Sequence, residues 1–260
     1  MSGQINRLKL FIATPAYGHA ITTTYANSMF KFMATVPPRD IAYNSIIHLQ
    51  AGMALVTQAR NNCVAEFMKS DADYLLFIDS DIGFESDYIH KILRRCKETE
   101  GVVICPYPVK GYQQGGKSIT FIIHFDDKDN IQIDKDGFCN IKAGPTGFMM
   151  IHRKVFEKLA KVYPEKKTVN KQMIADKVVT LDEFWYTFFE TAVDPVNGYL
   201  GEDIAFCDLC KKAGISIQAL TTAKLIHYGG HGFAGSLDMS FDREQWKDKV
   251  KKVDELPKNK

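Results

Sequence analysis

One run constrains this chain more than any other. Tyr74-Leu75-Leu76-Phe77-Ile78 is five apolar or aromatic residues in a row, and it ends on Asp79-Ser80-Asp81. A run that short, with no polar residue to face water, suits a central parallel strand covered on both faces. Open α/β sheets take ligands just beyond the carboxyl ends of such strands, so the Asp-Ser-Asp turn falls where a site is expected. Its carboxylates offer hard oxygen ligands for Mg²⁺ or Mn²⁺, and an ion so held can carry a nucleotide diphosphate. The competing reading is that Asp79 and Asp81 only cap the helix that begins near Ser86.

The flanking pattern supports a sheet. Strands are expected at Lys9–Thr14, Ile41–Leu49 and Gly101–Cys105, with helices over Ile21–Met33, Val56–Met68 and from Ser86, where Ile89, Ile92, Leu93 and Cys96 share one face. Strand and helix alternating in this way predict a parallel, nucleotide-binding sheet. From Ile119 the pieces become shorter and richer in β-formers: Ile119–Phe125, Ile131–Ile133, Phe148–Ile151 and Phe184–Glu190. Helices are expected over Arg153–Ala160 and from Gly201-Glu202-Asp203, and Ile215–Leu220 is read as a last strand. Residues 161–182 are polar, Lys-rich and aperiodic, and are expected to be a mobile loop serving as a lid or acceptor loop. The charged tail beyond Asp242 is expected to be a surface helix or disordered. The division predicted is one domain over 1–242, with a nucleotide-binding half at 1–110, an acceptor half at 111–242 and a tail at 243–260.

Composition narrows the class. At 260 residues, 45% hydrophobic and 25% charged, the chain matches ordinary globular proteins, and its net charge of +2 gives no electrostatic case for nucleic acid. The six cysteines are scattered, mostly in apolar runs, as reduced core thiols are, and the C-x-x-C at Cys207 and Cys210 lacks a second pair at zinc spacing. No basic-then-apolar leader and no apolar run near the ~20 residues of a membrane span is present. The expectation is a cytoplasmic protein without stable membrane insertion.

Several constellations have to be weighed. Gly111 to Ser118 matches the P-loop pattern letter for letter, but Pro106 and Pro108 precede it and the strand-forming Ile119–Ile123 follows, where that mechanism needs a strand and then a helix. A flexible glycine-rich loop is the better reading. Glu202 and Asp203 suit the acidic first turn of a helix, and equally a base at an exposed loop-to-helix junction. His227 and His231 flank glycines after a strand, where an imidazole can complete a metal shell begun by carboxylates. His227 is favoured because Lys224-Leu225-Ile226 anchors it, while His231 sits among Gly229, Gly230 and Gly232. The guanidinium fork of Arg60 suits a phosphate or a nucleobase.

Taken in order, the Thr14-Pro15 loop, Ala59-Arg60-Asn61, Asp79-Ser80-Asp81, Gly147-Phe148-Met149, Gly201-Glu202-Asp203 and the late His227 resemble GT-A fold glycosyltransferases. The resemblance is to the family-2-like enzymes, including small soluble virus-type ones, and covers roughly residues 8–232. It implies a Rossmann-like sheet of mainly parallel strands with a β-rich acceptor half. It also implies Mn²⁺- or Mg²⁺-dependent transfer of one hexosyl or pentosyl group from a nucleotide-sugar, a UDP-sugar above others, to an acceptor hydroxyl. By that resemblance Asp81 ligates the metal, Asp79 contacts the ribose or the metal, and His227 adds a further ligand. Asp203 is the catalytic base beside Glu202, while Thr14, Pro15, Tyr17, Arg60 and Gly147 line the donor site. The acceptor is left open among glycan, small molecule, protein and modified DNA base, as is inversion against retention. The Q-x-x-R-W motif of processive synthases is missing, which favours a single transfer. Two rivals stand beside this reading: a nucleotidyltransferase, although Thr14–Thr24 lacks the phosphate-binding basic residues it needs, and a non-catalytic nucleotide- or carbohydrate-binding module.

Overall fold

The computed structural model describes residues 7–111, 119–169, 171–174, 177–180 and 184–257. Along the first half run β1 (Leu8–Ala16), α1 (Thr23–Ala34), β2 (Tyr43–Ala51), α2 (Val56–Lys69), β3 (Tyr74–Ile78), β4 (Ile82–Gly83), α3 (Ser86–Thr99) and β5 (Val102–Ile104). Then come β6 (Ile131–Asp134), β7 (Phe138–Asn140), β8 (Phe148–His152), α4 (Arg153–Val162), β9 (Lys171–Ile174), β10 (Lys177–Thr180), β11 (Ala192–Asp194) and β12 (Gly198–Leu200). The chain ends with α5 (Glu202–Lys212), β13 (Ile217–Leu220), β14 (Leu225–Gly229), β15 (His231–Gly235), α6 (Asp238–Phe241) and β16 (Val250–Val253).

The architecture is mixed α/β around a nine-stranded sheet in the order β16-β6-β7-β13-β5-β8-β3-β1-β2. All its strands run one way except β7 and β8. β3 is buried at every position, and its side chains divide between two cores as a pleated strand requires. Tyr74, Leu76 and Ile78 join Leu10 and Ile12 under α1 and α3. Leu75 and Phe77 join Phe11, Ala13 and the apolar faces of α2, α4 and α5. An all-apolar run is therefore needed here, since each face of the strand meets a separate helical layer.

Several details differ from the sequence expectation. β8 enters antiparallel between β3 and β5, so Gly147 is delivered to the carboxyl end of β3. Ile119–Phe125 makes only single bridges, Pro108 with Phe121 and His124 with Ala143, and Phe184–Glu190 only that of Lys167 with Tyr186. The aromatic residues of that second stretch pack as an irregular core segment, with Phe188 and Phe189 fully buried. The described residues within 161–182 carry the end of α4, a 3₁₀ turn at Pro164–Lys166 and the antiparallel ribbon β9–β10, where a mobile loop was expected. β-branched Val178, Val179 and Thr180 favour that strand. Ile215–Leu220 is followed by β14, β15 and β16, and β16 lies parallel to β6 where a surface helix or disorder was expected. The P-loop-like run lies outside the described residues from 112 to 118.

The junction below β3 is held by Arg153. Its guanidinium donates to the carbonyls of Ala72, Met68, Phe67 and Ser70 and lies 4.6 Å from the centroid of the Phe67 ring, closing the carboxyl end of α2. Arg153→Ala is predicted to lower the unfolding free energy by about 2–4 kcal/mol, because charged hydrogen bonds and stacking are lost together. Urea denaturation of the two proteins measures it.

Candidate active site

The Asp-Ser-Asp turn is fixed by three backbone groups, each bonded to a different element. The Asp79 N–H donates to Gly147 O at 2.9 Å, Ser80 O accepts from Thr22 N at 2.9 Å, and Asp81 O accepts from Tyr228 N at 2.9 Å. Neither acid caps the following helix, whose N-cap is Glu85. With the backbone committed in this way, the two carboxylates point to different partners.

Asp79 meets Arg60. Arg60 Nη2 lies 3.1 Å from Asp79 Oδ1 and donates to Oδ2 at 3.2 Å, while Nε donates to Glu202 Oε1 at 3.4 Å. Arg60 is only 4% exposed and its guanidinium carbon lies 5.3 Å from the centroid of the Phe77 ring. Burial works to lower its pKa, but the charges of Asp79 and Glu202 outweigh burial and hold it above the ordinary arginine value. The buried Arg60 Nη1 has no hydrogen-bond partner among the described residues. Arg60, expected at the donor-binding surface, therefore lies beneath the two acids.

Asp81 turns the other way, to Lys110 and to His227, whose Nε2 is 3.7 Å from Asp81 Oδ1. The pairing of β14 with β4 sets His227 opposite Ile82, so the contact follows from sheet register. His227 Nδ1 lies 2.8 Å from Pro108 O. A carbonyl can only accept, so Nδ1 carries the proton and Nε2 presents its lone pair beside Asp81. Burial lowers the pKa of His227, against the opposing effects of Pro108 and Asp81, and so favours the neutral ring.

Asp203 opens α5 behind Gly201, with its Oδ1 accepting from Ile204 N at 2.8 Å. Burial raises its carboxyl above the ordinary range, with the Glu202 charge adding and Arg60 opposing. Tyr107 stands between these groups. Its hydroxyl accepts from Gly147 N at 3.1 Å, its ring meets that of His227 at 4.8 Å, and burial followed by the Asp79 charge raises its pKa well above the ordinary value.

The remaining expected donor residues diverge. Thr14 is fully buried and its hydroxyl pairs with Tyr25 at 2.7 Å, so it serves the core; Tyr17 is 68% exposed, and Pro15 is half-buried. His231 is exposed on β15, against Phe233, and the six cysteines are buried and unoxidised, with burial pushing the Cys207 thiol up to about 12. Among the described residues no group of three or more His, Cys, Asp or Glu side chains is gathered to hold a metal ion. Asp79, Asp81 and His227, expected to share an ion, are split: Asp81 and His227 converge and Asp79 faces Arg60. A carboxylate beside a neutral imidazole whose other nitrogen is tied to a carbonyl is a donor pair suited to a divalent ion. Tyr107 and Lys110 carried no sequence signal beyond their place after β5.

Residues 47–160 match the family model described as glycosyl transferase family 2. That segment, under half of the chain, is similar to family-2 glycosyltransferases, and the mixed α/β fold around it is of GT-A type. The match holds Arg60, Asp79, Asp81, Lys110 and Gly147, and ends before Glu202, Asp203 and His227. The fold of the chain is similar to the crystal structure of GalNAc-T7 with UDP, GalNAc and Mn²⁺, with a TM-score of 0.52 at 10% identity over 86% of this chain and 44% of that one. The crystal structure of A197 from STIV aligns at a TM-score of 0.48 with 18% identity, over 89% of this chain and 91% of that one. No curated protein gives a significant sequence match. No helix among the described residues is long and apolar enough to cross a membrane.

Gly147 is where the turn tolerates no side chain. A Cβ there would lie 2.5 Å from Asp79 Oδ2 and closer still to the Tyr107 hydroxyl. Gly147→Ala is predicted to cost about 1–3 kcal/mol through overpacking. It should also loosen Asp79 from Arg60. Thermal unfolding checks the first effect and the ¹⁵N shift of Arg60 Nε the second.

Proposed function

We propose that the protein transfers one sugar from a nucleotide-sugar, a UDP-sugar, to an acceptor hydroxyl with the help of Mn²⁺ or Mg²⁺. The observation that carries this reading is the Asp81–His227 pair at the carboxyl end of β3, with the partly buried Asp203 linked to it through Tyr107. The UDP and Mn²⁺ bound to GalNAc-T7, a protein of similar fold, support the choice of donor and ion. Residues 1–110 would serve the nucleotide and 111–242 the acceptor.

In this reading Asp81 and His227 Nε2 hold the ion, which when bound supplies Lewis-acid neutralisation of the leaving diphosphate. Arg60 holds Asp79 and Glu202 rigid below. Tyr17 offers an exposed ring to the donor. Asp203 accepts the proton of the attacking hydroxyl, a task helped by a carboxyl raised above its ordinary range. A binding module has no need of that group.

Two outcomes follow. Asp81→Ala should weaken Mn²⁺-dependent UDP binding by about tenfold or more, as loss of a metal-site group does. Calorimetry giving unchanged affinity with the fold intact contradicts the assignment. Asp203→Asn should lower turnover by about 10²–10⁴-fold with UDP affinity kept. In the wild type, Asp203 must be ionised to act. The rate of a transferase assay should therefore fall as the pH drops through a value above the ordinary carboxylate range, and the residual activity of Asp203→Asn should lack that acid limb.

A further inference from the structure

The segment after β5 lies across the site like a strap. Tyr107 meets Gly147, the Pro108 carbonyl meets His227 Nδ1, and Lys110 Nζ pairs with Asp81 Oδ2. The ammonium thus occupies the carboxylate that the proposed ion needs, with His227 Nε2 3.7 Å from the other oxygen of the same group.

We propose that Lys110 is a built-in counter-cation: it neutralises Asp81 in the free protein, competes with the divalent ion for that carboxylate, and passes to the diphosphate when the ion binds. The inference rests on the metal reading above and goes beyond it by coupling the ion to the nucleotide.

Three observations carry it. The pair is half open, with side-chain exposures of 38% for Lys110 and 25% for Asp81. Such a pair is weak, worth about 0–1 kcal/mol, and therefore displaceable. Second, β14 is shaped for the lysine stem. A Cβ at Gly229 would lie 2.5 Å from Lys110 Cδ, yet Gly229 is not among the glycines with positive φ, which include Gly230. Glycine at 229 meets no backbone requirement; it clears the path of Lys110. Third, the hydrogen bond from His227 to Pro108 ties the lysine's own segment to the proposed ligand. The ammonium can therefore leave Asp81 on its flexible stem while its backbone stays docked, remaining near as a point charge for phosphate oxygens.

The consequence is cooperative loading. Mn²⁺ alone has to displace Lys110, whereas Mn²⁺ with UDP gives the displaced lysine a new anionic partner. The experiment titrates Mn²⁺, by electron paramagnetic resonance of the free ion, into wild type, Lys110→Met, Lys110→Arg and Asp81→Ala, with and without UDP. Without UDP, Lys110→Met should bind Mn²⁺ roughly two- to fivefold more tightly than wild type, as loss of a competing surface pair allows. Lys110→Arg should stay near wild type. The tightening of Mn²⁺ binding by UDP should shrink in Lys110→Met. Binding that is lost in Asp81→Ala but unchanged or weaker in Lys110→Met overturns this inference alone. Binding absent from wild type, or retained in Asp81→Ala, overturns the metal reading with it.

Discussion

Arg60 is the interaction on which the site depends. A guanidinium 4% exposed on α2 reaches the end of β3 through Asp79 and the start of α5 through Glu202. A buried cation is tolerated only when paired, and removing one partner of such a pair costs about 3–5 kcal/mol. The requirement is mutual: the acids need Arg60 as much as it needs them. It joins positions 142 residues apart, Arg60 and Glu202, across the sheet's carboxyl edge.

That demand divides the labour within each acidic pair. In Asp79-Ser80-Asp81 the first carboxylate turns inward to Arg60 and the second outward to Lys110 and His227. In Glu202-Asp203 the first accepts from Arg60 and the second has only its own helix's N–H from Ile204 among the hydrogen bonds described. In each pair one acid is tied to the buried Arg60, and its neighbour is not. Rigid inward acids give the outward ones a fixed frame, which pre-organised sites need.

Much of this was legible in the sequence because it rests on short-range pattern. The all-apolar Tyr74–Ile78 run marks a strand buried on both faces, and the acids after it mark its carboxyl end. Gly201-Glu202-Asp203 reads as a helix start, and His227 was preferred to His231 on its apolar anchor. What stayed hidden depends on long-range pairing. That His227 touches Asp81 follows from the β14–β4 register, and that Gly147 abuts Asp79 follows from β8 entering antiparallel. Thr14 was expected at the donor, but a polar residue on a central strand gives no hint of which core will supply its partner, here Tyr25. Arg60 was expected in the donor pocket, because the burial of a guanidinium on α2 is visible only once both acids converge on it. Tyr107 and Lys110 follow a strand with no motif around them. The β16 strand was missed because a charged edge segment, Val250-Lys251-Lys252-Val253, resembles a solvated tail until β6 offers it a ladder.

The central claim is that Asp81 and His227 form the ion site while Asp79 stays with Arg60. Diffraction from crystals grown with Mn²⁺ and UDP, collected at the manganese edge, tests it most directly. The account predicts one anomalous peak within about 2.0–2.3 Å of an Asp81 carboxylate oxygen and of His227 Nε2, typical of hard-ion ligation. It also predicts that the Arg60–Asp79 contact is intact in the same map. A peak bonded elsewhere, or bonded to Asp79 with Arg60 released, contradicts it.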